Sequence, residues 1–130
     1  HITAVDLSEK MIEIAARKVE GDSLFELQCR DLFEMTQETF DRIIIYNAYP
    51  HFMEKDKVVQ KVAELLNPGG RFIVAHGACR EKLNGCHTNV PKEITSGLLS
   101  AKEESRLWET CFSIDILIDT EQFYMFSGVK

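Results

Sequence analysis

The chain alternates short apolar strands with amphipathic helices, and this order constrains its fold more than any other feature. Residues 1–6 (HITAVD) form an apolar run that ends in a carboxylate. Ser8 and Glu9 then provide the N-cap and the acidic first turn of a helix, and an apolar stripe continues that helix from Met11 to Val19. Strand–helix repeats of this kind predict a parallel α/β sheet.

Two further strands are predicted at Phe25–Cys29 and Phe40–Tyr46. The first alternates apolar and polar residues, so one of its faces is expected to be wetter. The second contains a continuous β-branched run, residues 43–45, which is typical of a strand buried on both faces in the middle of a parallel sheet. After a helix rich in valine and leucine, residues 67–70 (NPGG) turn the chain into another apolar strand, residues 71–76.

The C-terminal third departs from the strand–helix alternation. Ser100 and Glu103 match a capping box and predict a helix that runs through Trp108, which we expect to pack in the core. Apolar and polar residues alternate over residues 112–118, and residues 123–129 are again strand-like after a short polar turn. Two adjacent strands with so short a connection predict an antiparallel hairpin.

Composition excludes several classes of function. The 130 residues fit one domain, and a formal net charge of −6 argues against a broad nucleic-acid surface, which usually shows as a basic excess. No apolar run approaches the roughly 20 residues that a membrane span needs. Four scattered cysteines without a signal-peptide pattern indicate reduced thiols in a cytoplasmic protein. We therefore expect neither a nucleic-acid nor a membrane partner.

Four stretches together resemble one known family, the class I S-adenosylmethionine-dependent methyltransferases. Residues 5–11 are similar to its acidic strand end and following helix, residues 29–32 to its adenine-side loop, residues 40–47 to its fourth strand and residues 65–73 to the turn into its fifth. The terminal antiparallel hairpin agrees with that family as well. The resemblance implies an α/β fold, a Rossmann-like methyltransferase sheet with a C-terminal antiparallel hairpin, in a single partial domain over residues 1–130.

The resemblance places His1 in the second strand of the family, so we expect the first strand and its glycine-rich loop to be missing. In the family that strand lies between the second and fourth strands, and its loop approaches the methionine part of the cofactor. Three interpretations stay open: an incomplete copy of an active enzyme, a sheet completed by another chain or closed differently, and a non-catalytic remnant. Open sheet edges also predict a homodimer.

The resemblance implies S-adenosyl-L-methionine as the cofactor. The Asp6 carboxylate suits two hydrogen bonds from a ribose diol, although it could instead cap the next helix, as Ser8 does equally well. Asp31 suits the amino group of adenine beside the backbone and apolar edge of Leu32, and the alternative is a simple Asx turn. The expected cofactor-binding residues are Asp6, Leu7, Met11, Asp31, Leu32, Tyr46 and Asn47.

The acceptor side is expected in the loops after the fourth and fifth strands of the family. His51 is the candidate catalytic residue, a general base for a hydroxyl, thiol or amine, with a surface or capping histidine as the alternative. Arg80 suits an acidic group on the acceptor, and a solvated charged loop is equally compatible with it. The expected substrate-binding residues are Tyr49, His76, Arg80, Asn84 and His87.

Two motifs resemble functional signatures but depart from them in sequence or spacing. Residues 47–50 (NAYP) depart from the Asn/Asp-Pro-Pro-aromatic tetrad of family members that methylate amino groups of bases or protein side chains, so a small-molecule acceptor is expected instead. His76, Cys79, Cys86 and His87 include the ligands that zinc favours, but the spacing of the two cysteines is not that of a usual finger or ribbon. We expect no metal site.

The predicted function is transfer of a methyl group from S-adenosylmethionine to a small-molecule acceptor by direct in-line displacement. Two alternatives belong to other classes. A nicotinamide-dependent oxidoreductase also places an acid at the end of its second strand, although the terminal antiparallel hairpin argues against it. A non-catalytic, oligomerising remnant of a methyltransferase domain would dimerise through sheet edges and would not bind the cofactor.

Overall fold

The structure is a computed structural model that describes residues 1–86 and 97–130, with the backbone alone at Cys86. It contains two compact units, residues 1–37 (unit 1) and residues 38–130 (unit 2), and each is described by itself. Across these described residues, no helix has both the length and the apolar character that crossing a membrane requires.

Unit 1 is a strand–helix–strand unit. Strand β1 (Ile2–Asp6) pairs in parallel with β2 (Phe25–Cys29), and helix α1 (Glu9–Lys18) connects them. Ser8 is the N-cap of α1, as predicted, and its hydroxyl accepts from Met11 N. A 3-10 turn, Leu32–Glu34, follows β2. Because β1 and β2 run in parallel, both strands end at the same edge of this small sheet.

Unit 2 is a four-stranded mixed sheet with helices. Its strands lie in the order β3-β4-β6-β5, with β3 and β4 parallel and the remaining pairs antiparallel. The predicted C-terminal hairpin and the Ser100–Glu103 capping box are both present. The elements of unit 2, in chain order, are β3 (Phe40–Tyr46), α2 (Lys55–Leu65), β4 (Leu66–His76), α3 (Arg80–Cys86), α4 (Ala101–Trp108), β5 (Ser113–Asp119) and β6 (Tyr124–Val129).

Aromatic side chains form the core of unit 2. The Trp108 indole is fully buried and stacks on Phe72, with ring centroids 4.1 Å apart and planes inclined by 18°. Phe126 meets the same indole edge-on at 5.8 Å, and Phe112 lies 4.7 Å from Phe72. The predicted core position of Trp108 is confirmed, and this cluster joins α4 to the sheet.

The expected burial of β3 on both faces is wrong. Ile45 is buried, but Ile44 and Tyr46 on the opposite face are 62% and 58% exposed. The physical reason is that the described residues leave the face with Ile44 and Tyr46 largely uncovered; β3, which pairs only with β4 in the part of unit 2 that the structure describes, is also an edge strand of the sheet. The β-branched run is thus half-buried and carries an exposed apolar face.

A charged clip spans the antiparallel part of the sheet. The Arg71 guanidinium on β4 donates to both oxygens of Asp115 on β5, at 2.7 and 2.6 Å, and to Ser127 Oγ on β6, at 2.9 Å. Hydrogen bonding to Arg71 holds the pKa of the Asp115 carboxyl below its ordinary value. The register shifts between Ile114 and Ile116, so a bulge at Asp115 turns this carboxylate toward the arginine.

Candidate functional site

In unit 1, two carboxylates lie at the edge where the parallel strands end. Asp6 is the last residue of β1 and is paired with Cys29, and Asp31 follows Cys29 by two residues. Asp6 Oδ1 accepts from Ser8 N at 2.8 Å, and Asp31 Oδ1 accepts from Phe33 N at 2.9 Å. The Asx turn considered for Asp31 is therefore present, whereas the N-cap of α1 is Ser8 and not Asp6; each of the two carboxylates engages one oxygen in these contacts. The ribose and adenine roles stay predictions.

The apolar residues that are predicted to contact the cofactor lie close to these carboxylates in the sequence. Leu7 is 72% exposed and Met11 is 51% exposed, while Leu32 is half-buried at the start of the 3-10 turn. Exposed leucine and methionine side chains beside a strand end offer an apolar surface for a purine or ribose. Unit 1 thus presents one exposed and one half-buried carboxylate, with apolar side chains beside them, at one edge of its sheet.

In unit 2, the ends of β3 and β4 are joined by Asn47. Its backbone adopts the left-handed conformation (φ 53°), its N–H donates to Ala75 O at 3.0 Å, and its Oδ1 accepts from Gly77 N at 3.1 Å. Asparagine tolerates this conformation better than most residues. A Cβ at Gly77 would come within 2.6 Å of the Tyr46 hydroxyl oxygen, so the absence of a side chain there lets the exposed Tyr46 ring rest against the backbone.

The residues predicted for catalysis and for binding the acceptor differ in burial: some are exposed and others are buried. His51 is exposed at the end of a 3-10 turn, Tyr49–His51. Tyr49 and His76 are 0% and 1% exposed, and the His76 ring lies 5.8 Å from the ring of Tyr124. Direct contact of the acceptor with Tyr49 or His76 stays a prediction that would require neighbouring side chains to move.

Tyr49 is held as a neutral hydrogen-bonding group. Burial raises the pKa of its hydroxyl far above the ordinary value, the hydrogen bond from Trp108 opposes this shift, and the negative charge of Glu104 adds to it. Trp108 Nε1 donates to Tyr49 Oη at 3.1 Å, and Lys55 Nζ lies 4.8 Å from the centroid of the tyrosine ring. A phenol with so high a pKa cannot serve as a proton acceptor near neutral pH.

Arg80 lines a surface depression of about 520 Å³ between the start of α3 and the turn that joins β5 to β6. Its guanidinium is 3.0 Å from Glu81 Oε1, so its charge is already matched by a neighbour. The pKa of Arg80 is raised by that hydrogen bond and, to a smaller extent, by the charge of Asp119. The lining residues are Cys79, Arg80, Glu81, Asp119, Thr120 and Glu121.

Asn84 uses its side chain to hold the backbone of Leu98. Asn84 Nδ2 donates to Leu98 O at 3.0 Å, and Leu98 N donates to Asn84 Oδ1 at 2.9 Å. His87, also predicted for the acceptor, lies outside the described residues. The side chain of Cys86 also lies outside the described part. The structure therefore gives no distances within the full set of cysteines and histidines considered as zinc ligands.

Sequence reasoning missed several residues that the structure places near the predicted acceptor side. The hairpin-turn residues Asp119, Thr120 and Glu121 line the depression, although nothing local in the sequence marks them. Glu104 did carry a signal, because it lies among the buried positions of α4 with Ala101 and Trp108. A glutamate on the inward stripe of a helix requires a buried partner.

Comparison with known proteins identifies the family. The family model described as "Methyltransferase domain" matches residues 1–74. A malonyl-[acyl-carrier protein] O-methyltransferase of Priestia megaterium is 34% identical over 103 residues, which is 76% of this chain and 36% of that protein. The chain spans about a third of the length of the curated relatives it matches.

Solved structures agree in fold. An S-adenosylmethionine-dependent methyltransferase from Mesorhizobium loti matches with a TM-score of 0.77 and 15% identity, over 100% of this chain and 80% of that chain. The N-methyltransferase NodS from Bradyrhizobium japonicum, in complex with S-adenosyl-L-homocysteine, matches with a TM-score of 0.73 and 13% identity, over 98% and 65%. At these identities the likeness shows the fold, and the predicted Rossmann-like α/β class is confirmed.

The fold and the matching family model together define a Rossmann-like α/β protein of the transferase class. The chain belongs to the class I S-adenosylmethionine-dependent methyltransferases, the family that its motifs resemble. This membership favours methyl transfer over the nicotinamide-dependent oxidoreductase that the acid at the end of β1 had left open.

Proposed function

We propose that this protein transfers a methyl group from S-adenosylmethionine to a small-molecule acceptor in the cytoplasm, and that residues 1–130 are one partial catalytic domain. The observation that carries the proposal is the pair of carboxylates, Asp6 and Asp31, at the ends of neighbouring parallel strands. Ligands of open α/β sheets bind outside the carboxyl ends of the strands. Membership in the methyltransferase family supports the same conclusion.

The donor set fits an adenosine moiety. Asp6 keeps its second carboxylate oxygen at an exposed surface while the first closes the turn to Ser8, so it can accept from a ribose diol. Asp31 is half-buried and suits the adenine amino group, with Leu32 against the ring. We assign Leu7 and Met11 to the apolar surface beside them, and Tyr46 and Asn47 to the cofactor side of unit 2. The cofactor, when bound, supplies a methyl group already activated on a sulfonium.

Isothermal calorimetry of the full chain with S-adenosylmethionine and S-adenosylhomocysteine tests the proposal directly. We expect saturable binding of both compounds at one site per chain. Circular dichroism recorded on the same sample confirms that the protein is folded. A folded chain that releases no binding heat with either compound would overturn cofactor binding by this chain.

The acceptor is proposed to enter between His51 and the depression beside Arg80. One relative is named an O-methyltransferase and one matched structure an N-methyltransferase, so oxygen and nitrogen acceptors both agree with the family. Asn84, Tyr49 and His76 are proposed to shape this side from beneath, and His87 to belong to it. The carboxylates of Glu81, Asp119 and Glu121 outnumber the single guanidinium, so the depression is unlike a site for a strongly anionic acceptor.

His51 is proposed as the general base. Its exposed imidazole would take the proton that a hydroxyl, thiol or amine acceptor releases. In His51→Ala, measured with an identified acceptor, kcat should drop about 10²-fold. His51→Gln, which keeps a polar side chain but no basic nitrogen, should lose as much activity. A variant with an unchanged kcat would remove His51 from the mechanism.

A second candidate function, a non-catalytic oligomerising module, is favoured by the exposed edge of β3. Unpaired strand edges with apolar side chains promote pairing between chains. We propose a homodimer through this edge and expect Ile44→Lys to convert it to a monomer in sedimentation velocity. Leu117→Lys, on the edge strand β5 and 47% exposed in the parent chain, is the matched control and should stay dimeric.

The two readouts separate the candidates. A dimer that binds no S-adenosylhomocysteine supports the oligomerising module, whereas binding without self-association supports the enzyme alone. A monomeric parent chain at high micromolar concentration would exclude the proposed dimer.

A further inference from the structure

A buried ion pair links α2 to α4 inside unit 2. Lys55 Nζ lies 2.6 Å from Glu104 Oε1, and the two side chains are only 16% and 4% exposed. Exchanging such a pair for apolar residues of similar size often leaves stability unchanged or raises it, whereas removing one partner is strongly destabilising. A gain in stability therefore explains poorly why a charged pair is buried at this position. The contacts that the pair makes offer a better explanation.

The pair holds the loop after β3. Lys55 opens α2 soon after that loop, and its ammonium lies 4.8 Å from the centroid of the Tyr49 ring. The Tyr49 hydroxyl accepts from Trp108 Nε1 at 3.1 Å, and the negative charge of Glu104 helps to raise the pKa of that hydroxyl. Tyr49 begins the 3-10 turn that ends at His51. The buried ion pair thus packs against the first residue of that turn through the Lys55 ammonium.

The same pair holds the backbone that enters α4. Glu104 Oε1 accepts from Leu99 N at 3.2 Å, and Lys55 Nζ donates to Gly97 O at 3.5 Å. Asn84 on α3 binds both backbone groups of Leu98, and the Tyr124 hydroxyl on β6 donates to Leu99 O at 3.2 Å. The backbone of residues 97–99 is therefore hydrogen-bonded to side chains of α2, α3, α4 and β6.

We propose that Lys55 and Glu104 are positioning residues for the acceptor side of the methyltransferase, because they tie the Tyr49–His51 turn and the backbone of residues 97–99 to one buried point. The assignment to an acceptor side rests on the proposed function. Methyl transfer from an activated donor depends chiefly on alignment, so the placement of these segments matters more than additional acid–base groups. Neither residue needs to touch the substrate.

The test separates positioning from stability with an apolar replacement of both charges. In Lys55→Met/Glu104→Leu, the urea midpoint of the full chain should stay close to that of the parent, because no charge is left unpaired. Hydrogen exchange of the Leu99 amide should nevertheless become about tenfold faster or more, since its acceptor is gone. Trp108 fluorescence should shift as the Tyr49 ring loses its ammonium partner.

Two further variants keep the proposal falsifiable. Lys55→Arg preserves the pair and should restore slow exchange at Leu99 and the parent fluorescence. Lys55→Leu/Glu104→Met, which likewise leaves no charge unpaired and no acceptor for Leu99 N, replaces the first double variant if that protein fails to fold. Exchange at Leu99 that is as slow in either apolar double variant as in the parent would overturn the proposal.

The matched control uses another lysine–glutamate pair on α2. Lys61 and Glu64 lie 3.0 Å apart, with Glu64 59% exposed. Lys61→Met/Glu64→Leu changes the same residue types and should leave exchange at Leu99 unchanged. Accelerated exchange in this control would indicate a general loosening of unit 2 and would overturn a specific role for the buried pair.

Calorimetry with S-adenosylhomocysteine distinguishes a failure of this inference from a failure of the proposed function. The double variant should bind the compound as the parent does, because neither Lys55 nor Glu104 is among the residues assigned to the cofactor. A parent chain that does not bind would sink the proposed function and leave the exchange result intact. Normal binding with unchanged exchange would sink only the positioning role.

Discussion

Replacing Trp108 with alanine should lower the free energy of unfolding by about 3–5 kcal/mol, the cost of deleting a large buried aromatic side chain. The indole is fully buried, stacks on Phe72 at 4.1 Å and donates to Tyr49 Oη at 3.1 Å. Alanine removes the stacking and leaves the cavity. Urea unfolding followed by circular dichroism measures the change without relying on the fluorescence of the deleted residue.

Two control variants show which part of the Trp108 side chain accounts for the loss of unfolding free energy. Trp108→Phe keeps an aromatic ring but not the indole N–H, so it should cost less than alanine while still weakening the hold on Tyr49. Arg106→Ala, two residues away on the exposed side of α4, should change the free energy of unfolding by no more than about 0.5 kcal/mol. A loss below about 1 kcal/mol in Trp108→Ala would contradict the aromatic core described for unit 2.

Replacing Asp6 with alanine should weaken the binding of S-adenosylhomocysteine about tenfold to hundredfold. The expected loss is that of hydrogen bonds from a ribose diol to a charged acceptor, about 1.5–3 kcal/mol. Alanine also removes the turn to Ser8 N, so Asp6→Asn is measured beside it. The asparagine keeps an oxygen for that turn but loses the negative charge, and we expect it to bind with intermediate affinity.

Asp22 provides the matched control for Asp6. Its Oδ1 accepts from Leu24 N at 3.0 Å, the same two-residue turn that Asp6 makes with Ser8, but it precedes β2 instead of ending a strand. Asp22→Ala should therefore bind S-adenosylhomocysteine like the parent chain. Equal affinity for the parent and Asp6→Ala, in protein shown to be folded, would contradict the ribose role.

Local signals in the sequence predicted most of the secondary structure. Ser8 and the Ser100–Glu103 capping box act within a single turn, so their helices are recognisable from neighbouring residues alone. The hairpin of β5 and β6 follows from alternation and a short connection. The position of β3 at a sheet edge depends on which strand pairs with which, and a run of three isoleucines carries no information about its neighbours.

The exposure of residues at strand ends and in loops could be predicted from the sequence, but the burial of their neighbours could not. Asp6 and His51 are exposed and Asp31 is half-buried, and their roles stay predictions. Tyr49 was chosen from the same loop, yet its ring is buried, because Trp108 and Lys55 approach it from distant parts of the chain. Asparagine and tyrosine side chains serve equally well in binding a ligand or in holding a backbone, and only the tertiary structure distinguishes the two.

The clip formed by Arg71, Asp115 and Ser127 lets the register of the hairpin be set away from its turn. The guanidinium binds both strands of the hairpin nearer the end opposite the turn, and Gly128 leaves room for the carbonyl of Ser113, so these contacts fix the alignment of β5 and β6 away from their connection. The connection at Thr120 and Glu121 borders the depression beside Arg80, so its length and charge can vary while the Arg71 contacts hold β5 and β6 in register. Variation of a few turn residues would then change the lining of the depression, the surface proposed for the acceptor, while the sheet that carries it is kept.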